Sequence, residues 1–338
     1  MDEIELNIKT YQYNAFPDFV MQKHPDYLEW LYSSFIQLIG LDLELGCVDY
    51  NCGSVYGRLP LLSINDYSSR LEKMNIGEIR TIVEKGLKAG KKYYCFLDSY
   101  WIEGRSEYKK EHYPHDVLIS EDCLDDFVFI ENVAGFYKFF RINKDSFLKN
   151  MLSISFKTLI ELDVNRSKSY KLDIENICTM LDEYLNSYSN SDNTKLYYDD
   201  TDFSCREIFD NKEKDTICYG IEVYNLIKEK FLGRAQKSEH IDFRAIYLLL
   251  EKNELMVKRI TYLGEKLNLD KFVIEELKSK VNAICIRLKK CLYIVIKYNY
   301  KRDARKIIDM CEELLEIMNY ERTVYEAILM TLKSVEVA

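Results

Sequence analysis

A chain of 338 residues, 47% of them hydrophobic, is long enough for two domains of ordinary size and can fill a sizeable core. Its 47 basic and 56 acidic residues give a formal charge of -9 with neither sign gathered in a long block, which argues against a nucleic-acid binder. The acidic opening MDEIEL and the lack of an apolar run near the roughly 20 residues that cross a bilayer predict a cytoplasmic protein, neither exported nor membrane-inserted. Ten cysteines are scattered without the density of a secreted scaffold, so they are expected to be reduced and mostly buried. Cys47 and Cys52 come nearest to a metal pair, but no second pair has matching spacing, and neither metal nor other cofactor is expected.

In chain order, IELNIK alternates Ile4, Leu6 and Ile8 with polar residues, the period of a half-buried strand. A helix is predicted over Asp26 to Ile39 and a second over Ile76 to Ala89, where Ile79, Ile82, Val83 and Leu87 share a face and Gly90 is the stop. The aromatic run from Lys91 to Ile102 predicts a central strand. HDVLIS, DDFVFIEN and GFYKFFRI then read as three consecutive antiparallel strands. From about Asp145 the period becomes helical: Ile174, Ile177, Cys178, Leu181 and Leu185 repeat at three or four residues, as do Val281, Ile284, Cys285, Leu288, Leu292 and Val295. The polar stretch Asn186 to Asp202 predicts an exposed loop or an insertion within the bundle. The expected fold is therefore α+β over residues 1–150, helices packed on an antiparallel sheet, followed by an all-α helical bundle over 151–338.

Two of the four histidines flank Pro114: His112 on its lysine-rich side and His115 at the mouth of the run VLIS. A histidine entering one strand, with a carboxylate or amide at the end of the next, is how a thiol hydrolase holds its base; the second group sets the tautomer of the imidazole. Glu131 or Asn132, ending FVFIEN, can supply that orienting group. His112 is the weaker candidate, since a loop histidine among lysines is ordinarily just solvated.

The run FLDSYWIEGRSEYKKEHYPHDVLI, Phe96 to Ile119, resembles the matching segment of the butirosin biosynthesis protein H N-terminal family, a papain-like group, in Asp98, Tyr100, Trp101, Tyr108, Lys109, Lys110 and His115. Similarity extends upstream through LGCVDYNCGSVYGRLPLLSINDYSSRLEKMNIG and downstream to CYGIEVYNLIKEKF, Cys218 to Phe231. The resemblance implies a papain-like N-terminal domain in an accessory protein of peptide or secondary-metabolite biosynthesis, with His115 as the base and Tyr27, Asp98, Tyr100 and Trp101 lining the substrate cleft. It implies as ligand a peptide-like small molecule or a carrier-bound acyl group. A carrier protein and a second copy of the chain are the candidate protein partners.

The family places a nucleophilic cysteine about thirteen residues before a glycine that ends its first helix. Counting back from Gly40 reaches Tyr27, whose phenol, with a pKa near ~10, is a poor substitute for a thiol near ~8.5. Cys52 is followed by Pro60, Cys95 falls in an apolar strand, and Ser33 and Ser34 lie a turn into the predicted helix. Two readings follow. One is an altered, inactive member that binds its ligand; the other is an acyltransferase or amide-bond enzyme using His115 as general base. A basic patch for an acidic carrier is available in Lys85, Lys88, Lys91, Lys92, Arg105, Lys109 and Lys110.

Overall fold

A computed structural model describes residues 4–41, 47–51, 59–133, 135–189 and 217–336. The first elements are α1 (Gln12–Met21), α2 (Tyr27–Tyr32), β1 (Leu38–Leu41), β2 (Cys47–Tyr50), β3 (Leu62–Asp66) and α3 (Ile76–Lys88). Next come β4 (Lys92–Asp98), β5 (Pro114–Asp122), β6 (Asp126–Val133), β7 (Phe136–Asn143), α4 (Lys144–Ser153) and β8 (Leu159–Val164). The chain continues through α5 (Ile174–Asn186), β9 (Ile217–Tyr219), α6 (Val223–Gln236), α7 (Arg244–Lys266), α8 (Lys271–Lys301) and α9 (Ala304–Glu336). Contacts divide it into two units, Met1–Tyr27 with Leu59–Tyr170, and Leu28–Arg58 with Lys171–Ala338.

The first unit is built on a six-stranded antiparallel sheet in the order β3-β8-β4-β5-β6-β7. The three runs from HDVLIS to GFYKFFRI are indeed consecutive antiparallel strands. Alternation along β4 sends Tyr93, Cys95 and Leu97 to one face, where they join Val117, Ile119, Phe127 and Phe129 under α3 and α4. Tyr94 points to the other face and meets Phe16 of α1 ring to ring. The start of α3 is secured by a capping box between Asn75 and Glu78, and Gly90 turns the chain at φ +90. Gly86 is required by packing: a Cβ there would stand 1.8 Å from the Tyr93 hydroxyl, whose one proton lies between two acceptors, Ile82 O at 2.9 Å and Glu161 Oε2 at 2.8 Å.

Several expectations change. IELNIK forms no strand, although Leu6 and Ile8 are buried as the alternation requires. The helix expected over Asp26 to Ile39 stops at Tyr32; Phe35 takes φ +54, and the next apolar residues extend into the wholly buried β1. Gly40 therefore ends no helix. It lies in β1, where a Cβ would come within 2.6 Å of Cys218 Sγ on β9 and 2.7 Å of Leu226 on α6, so the glycine permits close packing. The boundary at residue 150 cuts through α4, and β8 beyond it sits between β3 and β4. The second unit is not all-α, since it carries the three-stranded sheet β2-β1-β9. Among the described residues no helix is long and apolar enough to cross a membrane.

Two buried charges organise that second unit. Arg259 of α7 is fully buried and donates to the carbonyls of Tyr32, Ser34 and Phe35, satisfying the end of α2 and the turn into β1. Glu321 of α9 accepts from Lys252, from the Tyr184 and Tyr224 hydroxyls and from Asn253 Nδ2, with no solvent access. Burial pulls the Lys252 ammonium down to about 8, and the Glu321 carboxylate keeps it from falling further. Tyr184 and Tyr325 place their ring faces 3.8 and 4.5 Å from the ammonium.

Removing one partner of such a pair leaves an uncompensated interior charge. Glu321→Gln should cost about 3–5 kcal/mol in urea denaturation at neutral pH. Adding Lys252→Met should recover most of that loss, because the carboxamide introduced on α9 can still accept from the tyrosines while no cation remains. A single-variant cost below about 1 kcal/mol, the range of exposed pairs, would mean the pair is not an organising contact.

Candidate functional site

His115 lies at the start of β5, opposite Leu97 of β4. The register Leu118 to Ile130 sets Val117 opposite Glu131, so the His115 and Glu131 side chains share a face. The His115 Nδ1 stands 3.3 Å from Glu131 Oε1, and Arg105, from the excursion between β4 and β5, brings Nη2 to 3.2 Å of the same oxygen. The carboxylate has no exposure, whereas the imidazole retains 20%. Burial by itself would depress the His115 pKa, but the carboxylates of Glu131 and Asp116 outweigh it and hold the imidazole above its ordinary value. Asp116 is itself pushed up, chiefly by burial.

Of the two proposed orienting groups, the structure brings Glu131 to His115 and turns Asn132 away. The strand period places Asn132 on the opposite face, where its Oδ1 accepts from Gly135 N in the turn to β7, at 2.9 Å. That correction follows from one residue of register.

Asp98 does not present a free carboxylate to a ligand. Its Oδ1 accepts from Tyr100 N at 3.0 Å and Tyr113 N at 2.9 Å, and its Oδ2 lies 2.6 Å from His112 Nδ1. Burial works against the ionised form, but His112 and these two amides hold the carboxyl below its ordinary range. The backbone of Asp98 is bracketed by Asn150 of α4, which accepts from its N–H at 2.7 Å and donates to its carbonyl at 3.0 Å. Tyr100 stacks on His112 with centroids 4.3 Å apart, and Trp101 meets Tyr100 edge-on at 4.7 Å. Tyr113 stacks on His115 at 5.7 Å. Trp101 and Tyr113 are about half exposed, and His112, at 66%, is the more accessible imidazole. Sequence reasoning ranks His112 low because nothing local marks Asp98, fourteen residues earlier, as its partner.

The helix whose first turn reaches His115 is α1, absent from the expected elements, and not α2. Its first residue, Gln12, donates through Nε2 to Asp116 O at 2.5 Å and holds that nitrogen 3.4 Å from His115 Nδ1. Tyr27 is held further along the same helix: its hydroxyl donates to Asp18 and accepts from Asn7 Nδ2 at 2.8 Å. At 1.5 Å per residue, Gln12 and Asp18 are about 9 Å apart along α1. Burial, then the Asp18 charge, drives the Tyr27 phenol far above its ordinary value, so it stays neutral. Burial raises Asp18 to about 6, with the Tyr27 hydroxyl resisting the shift.

No described cysteine, serine or threonine hydrogen-bonds His115. Cys95 is buried within β4 and its thiol is pushed up by that burial. Ser33 Oγ is taken by Asp173 N, and Cys52 and the Cys47 side chain lie outside the described residues. The expected basic patch is largely consumed internally: Lys88 pairs with Asp122, Lys91 with Glu161, Arg105 with Glu131, and Lys92 donates to Ser120 O. Among the described residues no group of His, Cys, Asp and Glu could hold a metal ion. No known protein family model matches the chain, and no curated protein matches it.

A histidine whose folded pKa is raised contributes stability that is fully present below its unfolded value of 6.5 and is lost as pH rises through the folded value. Denaturation midpoints of the wild type should therefore decline with rising pH above 6.5 more steeply than those of His115→Gln. Parallel curves would contradict the His115–Glu131 ion pair. Asp18 has its own signature, because the unfolded chain loses the proton first. Stability should fall as pH rises from 3.8 to about 6, and Asp18→Asn should remove that slope. Tyr27→Phe, which strips a donor from the buried carboxylate, should cost about 1–3 kcal/mol at pH 7.

Proposed function

We propose that the chain is a ligand-binding accessory protein, a papain-like fold whose site has lost nucleophilic chemistry and recognises a peptide-like or carrier-bound molecule. The observation that carries this reading is that no described cysteine, serine or threonine hydrogen-bonds the His115 imidazole, whereas general-base catalysis on an enzyme nucleophile would need a thiol or hydroxyl there. The imidazole is further tied into an ion network with Glu131 and Arg105, which favours its protonated form and opposes its use as a base. Beside it the 99–113 excursion presents Trp101, Tyr113 and His112 to solvent, rigid amphipathic rings of the kind that supply recognition surfaces. The partly exposed edge of His115 adds a donor for a carbonyl or carboxylate. The resemblance to the butirosin biosynthesis protein H N-terminal family supports peptide or secondary-metabolite assembly as the setting.

One observation favours a second reading, acyl transfer to the ligand's own amine. Asp98 orients His112 through Nδ1, and no described residue takes its Nε2, leaving a carboxylate-oriented imidazole open to solvent.

The two readings separate on turnover. With p-nitrophenyl acetate and an aminoacyl N-acetylcysteamine thioester, the binding reading expects wild type, His115→Ala and His112→Ala all to remain at the buffer rate. A rate roughly tenfold above buffer that disappears in either variant would replace it with the acyl-transfer reading. Binding can be followed through Trp101, the exposed member of the chain's two tryptophans; Trp30 is buried. Dipeptide amides and the thioester should shift its fluorescence saturably, and Tyr113→Ala should weaken that response. Absence of any response across the panel would remove the support for a peptide-like ligand.

A further inference from the structure

The stretch from Ile286 to Lys306 carries eight lysines and arginines against one acid, Asp303, in a chain whose formal charge is -9. It spans the end of α8, the turn, and the start of α9. Part of this charge is internally balanced: Arg287 pairs with Glu313 and Glu316, Lys289 with Glu254, and Arg302 donates to Glu239 O. Among the described residues Lys297, Lys301, Arg305 and Lys306 have no acidic partner.

Their positions work against helix stability. Lys297 and Lys301 are four apart on α8 and repel across one turn. Arg305 and Lys306 stand in the first turn of α9, which has no acid, so two cations face the positive end of that helix. Only Lys301, in the last turn of α8, suits the end of the helix at which it stands. Between these cations is a cavity of about 320 Å³, at the lower end of the range for small-ligand pockets. Lys297, Lys301 and Lys306 line it together with Asp303, and its apolar wall is made by Tyr293, Ile294 and Tyr298. The Tyr293 ring is 77% exposed, while Tyr298 is buried and its hydroxyl is spent on Glu239 O.

We propose that this turn is a binding site for a small organic phosphate of the mononucleotide type. A phosphomonoester brings close to two negative charges and three acceptor oxygens, which match three lysines lining one cavity beside the start of a helix better than a single carboxylate does. An attached ring would pack on Tyr293, and Asp303 supplies an acceptor for a sugar hydroxyl. The rest of the chain carries a net excess of acidic residues, which would repel an extended polyanion such as RNA or an anionic bilayer. The site is independent of the His115 region and of the function proposed for it.

Calorimetric titration of the full chain with AMP tests the assignment, with adenosine and inorganic phosphate as component probes. AMP should bind saturably at one site, at least about tenfold tighter than adenosine, and should weaken at high salt as charge is screened. The exposed double substitution Lys297→Ala with Lys306→Ala, checked for unchanged circular dichroism, should weaken AMP by about tenfold or more. Tyr293→Ala should weaken AMP while leaving inorganic phosphate unaffected. The assignment is overturned if AMP fails to bind at about 5 mM, or if the double variant binds it as the wild type does. It is equally overturned if a single-stranded RNA or phosphatidylserine vesicles bind this turn more tightly than AMP.

Discussion

A carboxylate without solvent access has to be met by positive charge, and Glu131 imposes that condition on the first unit. Two cations answer it from different parts of the sequence. His115 comes from the adjoining strand, and Arg105 comes from an excursion that must fold back over the end of the sheet to reach it. Ile102 is buried in the same core as Leu97 and Val117, so the ion pair and the apolar packing pull the excursion to the same place. Asp98 closes its base by accepting from Tyr100 N and Tyr113 N and holding His112. The exposed rings are thus carried on a loop tied at both its base and its middle, which lowers the entropy that a ligand would have to overcome on binding.

The second unit meets the same condition with a different geometry. Glu321 is surrounded by an ammonium, two phenols and an amide, whereas Arg259 is satisfied by backbone carbonyls at the end of α2. The first arrangement ties α5, α6, α7 and α9 together; the second sets where a short helix gives way to a strand. In both, the buried charge has enough partners that alternative packings would leave some of them unsatisfied, which favours one arrangement over its competitors. Around the α8–α9 turn the balance is different. Four cations there are left without acids among the described residues, and the helix ends place two of them unfavourably.

Short-range patterns were legible. Three antiparallel strands from His115 to Ile142, the α3 helix with its apolar face and Gly90 stop, and the apolar faces of α5 and α8 follow from local period and helix-stop chemistry, which neighbouring residues alone determine. The pairing of His115 with Glu131 was likewise within reach, because two strands joined by a short turn have few registers that keep Phe127 and Phe129 in the core. The segment from Asp26 to Gly40 failed for a physical reason: an apolar run of that composition suits a buried strand as well as a helix. The carbonyl freed where the helix ends at Tyr32 is taken by Arg259, more than two hundred residues away.

Long-range contacts decided the rest. Asn132 lost the orienting role to its neighbour by strand parity, Tyr27 is committed to Asp18, and Gln12, in a helix interrupted in sequence by Pro17, reaches the imidazole. Sequence by itself determined which segments alternate, which are amphipathic, and which histidine lies beside a carboxylate-bearing strand. Tertiary structure decided that Lys252 meets Glu321 and that Arg259 meets the end of α2, because burial and ion pairing depend on distance in space, and these partners are separated by tens to hundreds of residues.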